Sequence, residues 1–199
     1  MPLHHIDVHT GTRATADIIK KLKPDTVVIA VGVSKTKPDI RGADKPSVLP
    51  ARAVLDGKET GTKVAVIGGG LVGCETAEYL QKQGKQVTII EMLDDIAGKM
   101  VYAQRTILEA RLKAAGITIL TETVCKEITD SGVTVATKSG DKLQIEAASI
   151  VIAVGDRPNR ALEHELKEKV RDLYTAGDCV KPEGIAEAVA AGKKVYIFL

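Results

Sequence analysis

Between Lys63 and Gly73 the chain reads Lys63-Val-Ala-Val-Ile-Gly-Gly-Gly-Leu-Val-Gly73, and no other stretch limits the possible folds so strongly. A short apolar run leads into three consecutive glycines. From Leu71 the spacing changes, and Leu71, Cys74, Ala77 and Leu80 recur at helical intervals until Gly84. A strand ending at Gly68 and a helix opening at Leu71 leave room only for a tight turn. Gly68 permits that turn, Gly70 lets a ligand reach the backbone, and Gly73 allows helix and strand to pack closely. Unpaired amides at a helix N-terminus favour phosphate. The segment Gly68, Gly69, Gly70, Leu71, Val72 and Gly73 is therefore expected to hold the pyrophosphate of a dinucleotide.

The next strand, Gln86–Ile90, ends at Glu91. A carboxylate at this separation from the glycines can accept hydrogen bonds from the adenosine ribose and repels a 2′-phosphate. No Arg or Lys follows until Lys99, so NAD is expected rather than NADP. Glu75 and Glu78 lie in the first helical turns, where acids favour the helix dipole. Glu78 reads as an acid on a solvated face. Glu75 is close enough to the turn either to border a nicotinamide or to be solvated.

The remaining pattern extends this unit. Met100–Ala115 reads as a second helix with Met100, Ala103, Ile107, Ala110 and Ala114 as its apolar stripe, and Ile117–Leu120 as a third strand. Val124–Ile128, Val133–Thr137 and Lys142–Glu146 are short runs separated by good turns, which predicts an antiparallel meander. Ser149–Ala153 returns to a buried strand. The fold class expected is α/β: a Rossmann-like three-layer dinucleotide-binding domain, its parallel sheet flanked by helices, with a three-stranded meander as the last crossover. Asp25–Gly32 reads as another buried strand and Ser34–Pro50 as a loop or inter-domain crossing. Val27–Gly32 and Ile150–Gly155 are nearly the same hexapeptide, as two similar nested domains would produce.

Composition narrows the function classes. Aromatic residues are 3% and Trp is absent, so Val, Ile, Leu and Ala must fill the core. A net charge of +2 without a basic run predicts neither a nucleic-acid partner nor a membrane surface. No apolar stretch reaches the ~18 residues of a membrane span, and no secretory profile opens the chain, so the cytoplasm is expected. Cys74, Cys125 and Cys179 read as packing residues rather than a disulfide framework or metal site. His4, His5, His9 and His164 read as surface residues. No metal ligand and no catalytic side chain is assigned, and a homo-oligomer stays open.

Lys63–Ala77, the Glu91 strand and Ile150-Val-Ile-Ala-Val-Gly-Asp-Arg-Pro-Asn159 resemble the two-dinucleotide-domain flavoproteins of the pyridine nucleotide-disulfide oxidoreductase superfamily. Leu173-Tyr-Thr-Ala-Gly-Asp-Cys179 resembles the superfamily's late flavin motif. The resemblance implies that Asp178 bonds the ribityl chain of FAD, that Glu183–Val195 is the helix facing the flavin, and that Val27–Gly32 is the strand where the chain leaves the FAD domain. It also implies that Gly155 lies toward the nicotinamide and Gly32 at the flavin-domain exit. Lys23–Gly32, Val54–Gly57 and Gly177–Pro182 are most similar to the C-terminal half of the NADH:flavin oxidoreductase, 2,4-dienoyl-CoA reductase and trimethylamine dehydrogenase family.

Such proteins pass hydride from NADH to FAD and on toward a second flavin and an unsaturated substrate. The chain departs from them in lacking a first G-x-G-x-x-G, a redox-active C-x-x-x-x-C pair, a barrel and an iron–sulfur cysteine cluster. It is expected to be a fragment: residues 47–159 an NAD domain, with 1–46 and 160–199 as incomplete flavin-domain segments whose missing N-terminal parts are its partners. Two other readings stay open. One is a non-catalytic module binding ADP or NAD; the other is an NADH-dependent ferredoxin or rubredoxin reductase.

Overall fold

The computed structural model describes residues 6–34, 36 and 38–198. They form two compact units, one being Thr36–Gly155 and the other combining the segments on either side. The N-terminal flank contributes α1 (Ala16–Leu22), β1 (Thr26–Ile29) and β2 (Val33–Ser34). The central unit begins with β3 (Val48–Pro50), α2 (Ala51–Leu55), β4 (Lys63–Ile67), α3 (Leu71–Lys82), β5 (Gln86–Ile90), α4 (Tyr102–Ala114) and β6 (Thr118–Leu120). It continues through β7 (Thr123–Ile128), β8 (Gly132–Thr137), β9 (Lys142–Glu146) and β10 (Ser149–Ile152). The C-terminal flank holds β11 (Arg157–Pro158), α5 (Ala161–Leu166), β12 (Asp172–Thr175), a 3-10 turn at Gly177–Cys179 and α6 (Ile185–Phe198).

In the central unit five strands form one parallel sheet in the order β3-β10-β4-β5-β6. Successive side chains of a strand point to opposite faces, so a sheet covered on both sides needs apolar residues at every position. β4 meets that demand. Val64 and Val66 pack in the core that includes Cys74, Ala77 and Leu80 of α3 and Leu108 and Leu112 of α4. Ala65 and Ile67 pack in a second core with Cys125, Ile128, Val133 and Val135 of the meander. β7, β8 and β9 pair antiparallel as a separate sheet and make the third layer. Each fully buried aliphatic side chain in these cores contributes roughly 1.5–3 kcal/mol. The central unit is therefore the α/β, Rossmann-like three-layer fold, with a meander where a helix would otherwise cross.

Three local expectations need correction. The stripe expected on α4 is out of phase: Ile107 is 67% exposed and Ala103, Ala110 and Ala114 face solvent, while Leu108 and Leu112 are buried. Alanines satisfy an apolar template without much area to bury, and two leucines on the adjacent face outweigh them. Within the expected loop Ser34–Pro50, Val48–Pro50 forms an edge strand beside β10. Three residues are too few to display a period, and an edge tolerates the missing N–H of Pro50. The strand expected at Asp25–Gly32 forms as β1, but Val28 is half-exposed rather than buried.

In the flanking unit β1 pairs parallel with β12 and β2 pairs antiparallel with β11. Val27, Ile29, Ala16, Leu166 and Cys179 form its core. The near-identical hexapeptides supply β1 and β10, one to each unit. All three cysteines are free and buried. His9 and His164 are exposed, and His4 and His5 lie outside the described residues. Among the described residues no helix is long and apolar enough to cross a membrane, and no cluster of His, Cys, Asp or Glu could hold a metal.

Candidate functional site

β10, β4 and β5 run parallel, so the connections after them leave from one edge of the sheet, the edge where open α/β sheets bind ligands. The glycine turn after β4 occupies its middle. Gly68 has φ +104°, and a Cβ there would lie 2.5 Å from the Ala153 carbonyl oxygen. A Cβ on Gly73 would lie 2.0 Å from the Gly68 carbonyl oxygen. The protein itself needs glycine at both positions. Gly70 differs. Its φ of −64° suits any residue, and a Cβ would meet nothing within 4 Å. What a side chain at Gly70 would take is open space before α3, whose N-terminus has no side-chain cap. Helix geometry leaves the first amides there without partners inside the helix. The donor set and the open approach fit a phosphate.

Glu91, directly after β5, is buried at 8% exposure. Its Oε2 accepts the Gly69 N–H at 2.6 Å and its Oε1 accepts the Leu93 N–H at 2.8 Å. Its own backbone is fixed by the Leu120 carbonyl and the Thr123 N–H. Two charge-assisted bonds hold the carboxylate beside the turn, with lone pairs left to accept from ribose hydroxyls. Beneath it lies Cys74, whose thiol is pushed up to about 11, first by burial and then by the carboxylates of Glu91 and Glu75. It stays protonated at neutral pH and donates to the Gly69 carbonyl at 3.4 Å. Leu71, Val72, Met92, Leu93 and Val154 leave the three strand ends with exposed apolar side chains, which suit the faces of planar rings.

The structure thus gathers Gly68, Gly69, Gly70, Leu71, Val72, Gly73 and Glu91 in one place, with Gly155 beyond β10 at the same sheet edge. Glu75 is exposed on α3. Glu78 is not merely solvated: it pairs with Arg111 of α4 at 2.9 Å and with Lys82 at 3.7 Å. Gly32 and Asp178 belong to the other unit. There the Gly32 carbonyl accepts the Asn159 N–H, and Asp178 Oδ1 accepts the Glu183 N–H at 3.5 Å.

Sequence reasoning did not single out Ile96, Ala97 or the Ala153 carbonyl, all of which shape the turn. One signal was present. Ile96-Ala97 is an apolar pair directly after Asp94-Asp95, in the connection between β5 and α4. Two shallow polar depressions of about 420 and 460 Å³, one including Lys58, Thr60 and Tyr79 and the other Lys63, Gly84 and Gly116, do not include the glycine turn.

The pyridine nucleotide-disulphide oxidoreductase family matches residues 5–194. An NADH oxidase of Thermoanaerobacter brockii is 39% identical over 196 residues, 96% of this chain and 30% of that protein. A cinnamate reductase of Clostridium sporogenes is 34% identical over 96% of this chain and 29% of its own length. Among solved structures, a 2-naphthoyl-CoA reductase in complex with 2-naphthoyl-CoA superposes with a TM-score of 0.88 at 32% identity, covering 94% of this chain and 29% of that one. The chain spans 30% of the length of the first of these relatives and 29% of the second.

Proposed function

Because the chain belongs to the pyridine nucleotide-disulphide oxidoreductase family, we propose that it is the NAD(H)-binding portion of a flavin-dependent oxidoreductase that passes hydride from NADH to FAD. Within the family we assign it to the NADH:flavin oxidoreductase, 2,4-dienoyl-CoA reductase and trimethylamine dehydrogenase group. In this reading residues 47–159 are the NAD domain, and 1–46 and 160–199 belong to a flavin domain completed by chain outside this sequence, in a cytoplasmic protein.

The observation that carries the reading is Gly70. Its glycine is unexplained by the protein's own packing and is explained by a phosphate that must pass where a side chain would stand. Hydride transfer is the chemistry that NADH and FAD supply when bound. The chain's residues do the holding. The first-turn amides of α3 bind pyrophosphate and add the positive end of the helix dipole. Glu91 accepts from the adenosine ribose and excludes a 2′-phosphate. Gly155 leaves the nicotinamide end uncrowded, Glu75 borders it, Asp178 holds the ribityl chain of FAD and Gly32 marks the flavin-domain exit.

The test is NADH turnover by the purified chain with and without added FAD. The reading predicts dinucleotide binding but no reductase turnover from this chain alone. Appreciable NADH oxidation without a complementing flavoprotein segment would contradict it.

A further inference from the structure

We propose that Glu91 is also a positioning residue for the phosphate-facing turn, acting together with Ala97 on the peptide groups of Gly69; this inference rests on the dinucleotide reading above. Gly69 is gripped at both backbone polar groups. Its N–H donates to Glu91 Oε2 at 2.6 Å, and its carbonyl accepts the Ala97 N–H at 2.7 Å. Both grips come from one short segment, the connection between β5 and α4.

That segment is held in a costly conformation. Ala97 has φ +48° and is 2% exposed. A left-handed backbone costs a residue with a Cβ roughly 1–2 kcal/mol, and it persists only where the surroundings over-determine it. The surroundings do so here. Ile96 and Ala97 are both buried in the core that holds α3 and α4, and the Ala97 carbonyl accepts the Met100 N–H at 2.8 Å. Ile96 Cγ2 would lie 2.8 Å from a Cβ on Gly69, so the segment also fills the space against the turn.

Because Glu91 occupies the Gly69 N–H, the amides that remain to face an anion are those after it, and their direction follows from how the Gly69 peptide is set. Removing one acceptor from Glu91 loosens that peptide and weakens phosphate binding. Removing its negative charge alone would do the opposite, since a carboxylate near a phosphate repels it. The two effects have opposite signs.

The experiment uses the whole 199-residue chain with 2′,3′-dideoxyadenosine 5′-diphosphate, which keeps both phosphates and lacks the ribose hydroxyls. Its affinity is measured by calorimetry for the unsubstituted chain, Glu91→Gln and Glu91→Asp, with hydrogen exchange at the Gly69 amide followed without ligand. Positioning predicts about tenfold weaker binding by Glu91→Gln, the scale of one lost bond to a charged group, and faster Gly69 exchange. Glu91→Asp keeps the charge, is too short to reach both N–H groups, and shows the same direction if Glu91→Gln does not fold. Equal or tighter binding of the dideoxy nucleotide by the variants, with ADP alone weakened, overturns the positioning role and leaves only the ribose contact. If the unsubstituted chain binds neither nucleotide, it is the dinucleotide reading that fails, and unchanged Gly69 exchange in both variants then overturns the brace separately.

Discussion

Gly73 lies against Gly68 so closely that a Cβ at position 73 would come within 2.0 Å of the Gly68 carbonyl oxygen, whereas one at Gly70 would touch nothing within 4 Å. Two glycines of one turn therefore differ: packing demands Gly73, while Gly70 is free of that demand and is the one we propose a ligand requires. Gly73→Ala should destabilise the domain by about 1–3 kcal/mol through overpacking. Gly70→Ala should leave the melting temperature unchanged and weaken NADH binding at least tenfold. Thermal melts and calorimetry on the two variants check both halves.

Glu91 predicts nucleotide preference. The chain should bind NADH well ahead of NADPH, and Glu91→Ser should narrow that ratio. The same substitution leaves the Gly69 and Leu93 N–H groups without their acceptor, so it should also cost about 1–3 kcal/mol of stability. Competition titrations and urea unfolding measure the two effects on one sample.

The cysteines should be inert in the native state. Burial pushes the thiols of Cys74 and Cys125 up to about 11 from an ordinary value near 9. The folded state therefore favours the neutral thiol. The stability this contributes is complete below pH 9 and is lost as pH rises through 9 to 11. A thiol reagent at pH 8 should label no cysteine in the native chain and all three after denaturation, and the melting temperature should fall above pH 9.

The phase of α4 is testable by paired substitutions. Leu112→Ala should cost about 2–5 kcal/mol, and Ile107→Ala, at an exposed site, should stay within about 0.5 kcal/mol. The reverse order would restore the stripe read from the sequence.

That stripe marks where sequence reading ran out. The glycine turn, the β4–α3–β5 unit and the three meander strands were legible because each rests on a local period bounded by turn residues. α4 was misphased because three of the five stripe residues are alanines, whose burial the pattern cannot rank against Leu108 and Leu112. β3 was hidden by its brevity and by Pro50. Within the site, Glu91 was legible by its separation from the glycines. Its bonds to Gly69 and Leu93 and the left-handed Ala97 were not, because they depend on a loop folding back over a turn, which no spacing encodes.

In the proposed reading the turn around Gly70 and Glu91 holds a nicotinamide dinucleotide. Calorimetric titration of the chain with NADH, NADPH and ADP tests it most directly. NADH should bind tightest, ADP more weakly for want of the nicotinamide end, and NADPH weakest. Equal affinities for NADH and ADP would contradict the nicotinamide assignment in favour of a structural nucleotide site, and binding of none of the three would contradict the site itself.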